Sequence, residues 1–148
     1  MKGAVFTLDT SCLVAAVCAW HEHHAAAADE IEARLGRGER LVLAAHVLVE
    51  AYAVLTRLPP PHRLAPGDAW TLIRANFVEQ AGITALTGAE HVGVLAKLAA
   101  TSIRGGRTYD ALIGAVAQKA GAAALLTFNP RHFEPAPEGV GIIVPPDS

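Results

Sequence analysis

The chain has 148 residues, of which 52% are hydrophobic and 18% are charged, and its formal net charge is -2 at pH 7. This composition is typical of a globular protein with a substantial core, and it excludes a disordered chain. No apolar run approaches the roughly 20 residues that span a bilayer, and the net charge argues against broad electrostatic binding to nucleic acid, although a local basic strip is compatible with it.

Strand-like and helix-like segments alternate along the chain. The predicted strands are short apolar runs at 4–8, 41–44, 83–86, 123–128 and 141–144. The predicted helices begin at capping residues or end near glycine or proline, and they cover 10 to about 21, 25–35, 46–58, 68–80, 88 to about 103, and 108–120. Because such alternation produces a parallel sheet covered on both faces, we predict an α/β fold. We expect one three-layer α/β/α domain over 1–148, with a mainly parallel sheet of four to five strands.

The N-terminus and the cysteines favour a cytoplasmic protein. Asp9 and Thr10 interrupt the first apolar block, so no signal peptide is predicted. Cys12 and Cys18 fall on different faces of one predicted helix, which favours two small core residues over a local disulfide.

Three long stretches are almost free of charge, and each contains one carboxylate without a Lys or Arg beside it. These carboxylates are Asp9, Glu50 and Asp110. Burying a lone carboxylate is costly unless a cation or hydrogen-bond donors compensate. A shared divalent metal ion, which prefers oxygen ligands, is the simplest compensation for all three. We therefore predict a metal-dependent active site.

The predicted topology allows these side chains to meet. Asp9 follows the first strand and Asn129 follows the fourth, and ligands of open α/β sheets bind outside the carboxyl ends of the strands. Asp110 lies in the first turn of a helix, where the helix dipole favours negative charge, and Glu50 projects from an apolar helix.

Each signal also has a simpler structural interpretation. Asp9 can serve only as a helix N-cap, Asp110 only as a first-turn residue, and Glu50 as one partner of a long-range salt bridge. The histidines in the segment 21–24 lack the i, i+4 spacing of metal ligands, so we interpret the segment as a polar connector. The remaining histidines considered as structural or exposed are His46, His62 and His91.

Four segments carry a family resemblance. They are LDTS at 8–11, LVEAYAVLTR at 48–57, GRTYDALIGAVAQKAG at 106–121 and LLTFNPRHF at 125–133. In this order and at these separations they resemble the PIN-domain family, and most closely its VapC-type toxin ribonucleases. The resemblance extends over nearly the whole chain.

The resemblance implies an endoribonuclease that uses Mg²⁺, with Mn²⁺ as the alternative. Asp9 and Asp110 correspond to direct metal ligands, and Glu50 to the residue that orients metal-bound water or binds through it. Many relatives place a fourth acidic residue where Asn129 or His132 stands, and neither is acidic here. The absence of this acidic residue puts binding of a second metal ion in question, but it does not affect the residues that correspond to the first metal site.

The resemblance further implies a supporting shell, RNA contacts and protein partners. The predicted supporting shell is Thr10, Ser11, Thr127 and Asn129. The predicted contacts to RNA phosphates, which are otherwise ordinary surface arginines, are Arg104, Arg107 and Arg131. A homodimer is implied, as is a small antitoxin whose tail occupies the groove, and the predicted helices 46–58 and 68–80 offer surfaces for both.

Two other functions are compatible with part of this pattern. A phosphatase-like enzyme using Asp9 as nucleophile would need a second Asp where Ser11 stands. A non-catalytic PIN module that binds protein or RNA would explain the missing fourth acid, but it leaves the other three carboxylates without a purpose.

Overall fold

The fold is built on a central sheet of five strands. The computed structural model describes residues 3–147. All neighbouring strands in it are parallel, which confirms the predicted α/β class. The strands are β1 Val5–Leu8, β2 Arg40–Ala44, β3 Gly82–Thr84, β4 Ala122–Leu126 and β5 Gly141–Ile143.

The strand order places the carboxyl ends of β1 and β4 side by side near the centre of the sheet. The order is β3-β2-β1-β4-β5, so the chain proceeds outward from β1 in one direction and from β4 in the other. Ligand crevices of open α/β sheets form where the order reverses, outside the carboxyl ends of the strands. Leu8 of β1 pairs with Leu126 of β4 there, and Asp9 and Thr127 follow them.

Two groups of helices pack with the sheet. The first four helices contact one another and form one group, and the last two helices contact each other and form the second group. The helices are α1 Thr10–Val17, α2 His24–Gly36, α3 Ala45–Arg57, α4 Pro66–Ile73, α5 Gly88–Ala100 and α6 Arg107–Lys119. A π-helical stretch, Arg74–Val78, continues α4, and a 3-10 turn, Pro130–Phe133, follows β4.

The core lies between the sheet and its helices. All four residues of β1 are buried, as expected of a strand covered on both faces. Cys12 and Cys18 are both buried and free, which confirms their interpretation as core residues. No helix within residues 3–147 is long and apolar enough to cross a membrane.

The first and fourth helices show the largest differences from the predicted boundaries; the fifth also ends early, at Ala100 instead of about residue 103. The first helix ends at Val17, with Cys18 in extended backbone, instead of continuing to about residue 21. The apolar residues continue past its end, so hydrophobicity alone did not mark the stop. The fourth helix begins at Pro66 and changes to π-helical hydrogen bonding at Arg74.

Candidate active site

Asp9 caps α1 and also lies at the centre of a hydrogen-bond cluster. Its side chain is almost fully buried. Oδ1 accepts hydrogen bonds from the Cys12 N–H at 2.9 Å and the Ser11 hydroxyl at 2.7 Å, and Oδ2 accepts one from the Thr127 hydroxyl at 2.5 Å. A carboxylate has about four lone-pair sites, so these bonds leave capacity for about one more partner. The N-cap interpretation is therefore correct without being complete.

The two hydroxyl groups are oriented by the loop that follows β4. Ser11 Oγ accepts the Phe128 N–H at 3.2 Å, and Thr127 Oγ1 accepts the Asn129 N–H at 2.9 Å. Because each hydroxyl has a single proton, accepting a backbone N–H leaves that proton free to point at Asp9. Both hydroxyls therefore act as hydrogen-bond donors to the carboxylate.

Glu50 reaches the same region from α3. The Thr10 hydroxyl donates a hydrogen bond to Glu50 Oε1. His46, one turn earlier, places Nε2 3.6 Å from Glu50 Oε2. No Lys or Arg among the described residues forms an ion pair with Glu50, which does not favour the salt-bridge interpretation.

His46 is a site neighbour that the sequence analysis missed. Its ring stacks on Tyr109, with centroids 5.2 Å apart and planes 9° from parallel. Its Nε2 is buried without a hydrogen-bond partner among the described residues. The i, i+4 spacing to Glu50 on one helix face was the available signal.

Asp110 lies in the first turn of α6 and is half-buried. His132, from the 3-10 turn, places Nδ1 3.3 Å from Asp110 Oδ2. His132 is one of the two positions at which the resemblance implies a fourth carboxylate, and here it places an imidazole next to Asp110. Asn129, the other such position, is exposed.

Asp9, Glu50 and Asp110 border one cleft of about 460 Å³. All three carboxylates predicted from the sequence contribute to its wall, together with Thr10, Ser11 and Asn129. The connector segment contributes His21, Glu22 and His23, which the sequence analysis treated only as a link between helices. Thr127 lies behind the wall, fully buried. The predicted RNA-contacting arginines, all exposed, lie outside the described lining: Arg104, Arg107 and Arg131.

The carboxylates repel one another across this cleft. Burial is the main cause that raises the pKa of Asp9; hydrogen bonds from Thr127, Ser11 and Cys12 oppose it, and Glu50 adds to it. Burial also raises the pKa of Asp110, where His132 opposes the shift and the charges of Asp9 and Glu50 reinforce it. A divalent cation in the cleft would relieve this repulsion.

The donor set fits a hydrated divalent cation better than an ion enclosed by protein. No three His, Cys, Asp or Glu side chains within residues 3–147 approach closely enough to hold a metal ion between them as they stand. Mg²⁺ keeps several of its waters and is commonly bound through one or two carboxylates. Asp9, with its remaining lone pair, and the half-buried Asp110 could supply these two carboxylates.

Comparison with known proteins assigns the family. The model of the PIN domain family matches residues 6–137. The chain belongs to the PIN-domain family. The matched residues of this PIN domain include every member of the site described above.

Relatives with known names include two ribonucleases of Mycobacterium tuberculosis. Ribonuclease VapC40 is 44% identical over 126 residues, which cover 85% of this PIN-domain chain and 87% of that protein. Ribonuclease VapC27 is 38% identical over 103 residues, which cover 70% of this chain and 62% of that protein.

Solved structures share the fold. VapC20 of Mycobacterium tuberculosis, a sarcin-ricin loop cleaving toxin, superimposes with a TM-score of 0.71 at 18% identity, covering 92% of this chain and 98% of that one. VapBC2 from Rickettsia felis, bound to a DNA fragment from its promoter, gives 0.68 at 16% identity over 95% and 98%. At these sequence identities the structural similarity establishes the PIN fold. The activity has to be inferred from the residues of the site.

Proposed function

We propose that this PIN-domain protein is a metal-dependent endoribonuclease and the toxin of a toxin–antitoxin pair. The observation that carries the proposal is the convergence of Asp9, Glu50 and Asp110, from three separate elements, on one cleft whose wall has no Lys or Arg among the described residues. The relatives named ribonuclease VapC support the same reaction. We propose Mg²⁺ as the metal, with Mn²⁺ as a substitute.

Each residue of the site has a proposed role that follows from its contacts. A bound metal ion would polarise the phosphoryl group and lower the pKa of a bound water. Asp9 and Asp110 would hold the ion, Glu50 would orient a water, and the Thr10 hydroxyl would hold Glu50 in place. Ser11 and Thr127 keep Asp9 in a fixed orientation through their hydroxyl protons.

The decisive experiment replaces each proposed ligand without changing its shape. Asp9→Asn and Asp110→Asn should each reduce RNA cleavage by about 100-fold or more in saturating Mg²⁺, since each removes a metal-binding charge. Asp68→Asn, at an exposed position on α4, is the matched control and should retain full activity. Equal cleavage by all three variants would refute the assignment.

The same assay separates the proposal from a non-catalytic PIN module. A wild-type protein that binds RNA but cleaves none with Mg²⁺ or Mn²⁺ would identify such a module. A phosphatase-like enzyme would instead release phosphate from a monoester and leave internal RNA bonds intact.

Protein partners and cellular location form the second part of the proposal. Exposed apolar side chains lie on α3 and α5, where Val49 is 69%, Val92 66% and Leu95 60% exposed. Such groups support binding of a second copy and of a small antitoxin. We propose that the protein is a cytoplasmic homodimer and that each subunit is a single domain. Light scattering of the protein alone tests the homodimer, and light scattering with the product of an adjacent small reading frame tests the antitoxin contact.

A further inference from the structure

Five aromatic rings form a continuous series along one side of the cleft. Phe128 stacks on His23 with centroids 4.4 Å apart, and His23 contacts His21 at 5.7 Å. His21 contacts Trp20 at 5.7 Å, and Trp20 stacks on His62 at 4.0 Å. We call these five residues the aromatic row.

The aromatic row begins inside the cleft and leads out of it. Phe128, His23 and His21 line the cleft together with the carboxylates. Trp20 is 48% exposed, and His62 belongs to the segment after α3. The row therefore connects the proposed reaction centre with the open surface.

The backbone that carries the row is held in place. The His23 N–H donates to His21 Nδ1 at 3.0 Å, so this ring nitrogen is an acceptor. The His21 N–H donates to the Cys18 carbonyl at 2.9 Å, and the His62 N–H donates to the Pro59 carbonyl at 3.0 Å. These bonds fix the main chain at His21, His23 and His62 and the ring of His21, so these residues lose little conformational freedom when a planar ligand binds.

The charges around the row exclude a simple phosphate-binding surface. Glu22, whose side chain is 83% exposed, lies between its histidines, and three carboxylates border the same cleft. At the cleft end of the row, no Lys or Arg among the described lining residues neutralises phosphate. An exposed arginine, Arg63, follows His62 at the other end. Phe128 stacks on His23 and Trp20 stacks on His62, which leaves each of these rings one face turned away from its stacking partner. Ring faces stack with unpaired bases regardless of sequence.

We propose that the aromatic row is a stacking surface for unpaired bases of a single-stranded RNA segment adjoining the scissile phosphate. The inference rests on the proposed ribonuclease function and adds the residues of this chain on which bases of the RNA stack. It explains how a chain with a net charge of -2 holds RNA, because stacking substitutes for part of the phosphate contacts. Its affinity should accordingly depend weakly on salt.

The chain supplies a matched pair of variants for the test. It has two tryptophans, and Trp70 on α4 is exposed to 51%, close to the value for Trp20. Trp20→Ala and Trp70→Ala therefore remove the same side chain from equally exposed positions. Both are combined with Asp9→Asn, so that binding of a short unstructured RNA oligonucleotide is measured in Mg²⁺ without cleavage.

We expect Trp20→Ala to weaken RNA binding by about 5-fold or more, and Trp70→Ala to leave it unchanged. Trp20→Phe should restore most of the affinity, which separates loss of the ring from loss of the fold. An oligonucleotide of the same length without bases should bind the Trp20→Ala and Trp70→Ala proteins equally. In a Trp70→Phe protein, the remaining Trp20 fluorescence should be quenched by the base-bearing oligonucleotide.

Equal RNA affinity of the Trp20→Ala and Trp70→Ala proteins would overturn the inference. An equal loss for RNA with and without bases would also overturn it, since the ring would then not act by stacking. Loss of binding to a co-purified protein, with RNA affinity unchanged, would identify the row as a protein contact instead. Cleavage by the protein with its native Asp9 is measured in parallel, so failure of the ribonuclease proposal and failure of the stacking proposal give different results.

Discussion

Thr127→Val removes one buried hydroxyl and retains the size and branching of the side chain. In the structure this hydroxyl is fully buried, donates to Asp9 Oδ2 at 2.5 Å and accepts the Asn129 N–H at 2.9 Å. A hydrogen bond to a charged group contributes about 1.5–3 kcal/mol, and a lost neutral partner adds about 0.5–1.5 kcal/mol. We therefore expect the metal-free protein to lose about 2–4 kcal/mol of unfolding free energy at neutral pH.

The effect should depend on pH in a defined direction. Burial already raises the pKa of Asp9, and the Thr127 bond lowers it, so the variant raises that pKa further. A carboxyl group with a raised folded-state pKa contributes stability below its unfolded value of 3.8, and this contribution is lost as the pH rises through the folded value. The loss is larger in the variant, so the two proteins should differ least in acid and most at neutral pH.

Urea unfolding of the wild type, Thr127→Val and Thr127→Ser over this pH range measures the effect. Thr127→Ser keeps the hydroxyl and should retain most of the pH-dependent part. A difference between wild type and Thr127→Val below about 0.5 kcal/mol at neutral pH would refute the reasoning, because surface substitutions without such bonds already produce changes of that size.

Three further results are expected. Mg²⁺ should raise the melting temperature of the wild type by linkage, and the increase should shrink in Asp9→Asn; equal increases in a thermal-shift titration would contradict a ligand role for Asp9. Asn129→Asp should lower the Mg²⁺ concentration required for half-maximal cleavage, and Asn129→Ala should raise it modestly; superimposable metal titrations would place Asn129 outside the site. Gly114→Ala should destabilise the fold by about 1–3 kcal/mol, because a methyl group there would lie 2.8 Å from Pro137 Cγ. Gly93→Ala, in open space within α5, should stabilise the fold by up to about 1 kcal/mol. Chemical unfolding in which both substitutions change the unfolding free energy in the same direction would contradict this.

The sequence was sufficient for the elements that depend on local patterns. All five predicted strands and the helices between them are present, and helices begin at capping residues as predicted, for example Thr87, which forms a capping box with Glu90. The three carboxylates were identifiable because each stands alone in an apolar segment. Their roles as metal ligands remain predictions.

The missed features depend on contacts between distant segments. The stacking of His46 on Tyr109 joins α3 to α6, and the proximity of His132 to Asp110 joins α6 to the turn after β4. No local periodicity encodes such contacts. The segment 21–24 was likewise interpreted only as a polar connector, because its position beside the cleft depends on where α1 ends.

The hydrogen bonds of Asp9 also have a consequence during synthesis. Asp9 and Thr127 are separated by 118 positions, and Ser11 meets the Phe128 N–H across a similar span. A ribosome-bound chain that has not yet exposed β4 therefore cannot complete the environment of its first carboxylate. A nascent chain that lacks residues 127 and 128 therefore lacks the arrangement on which the proposed RNA cleavage depends.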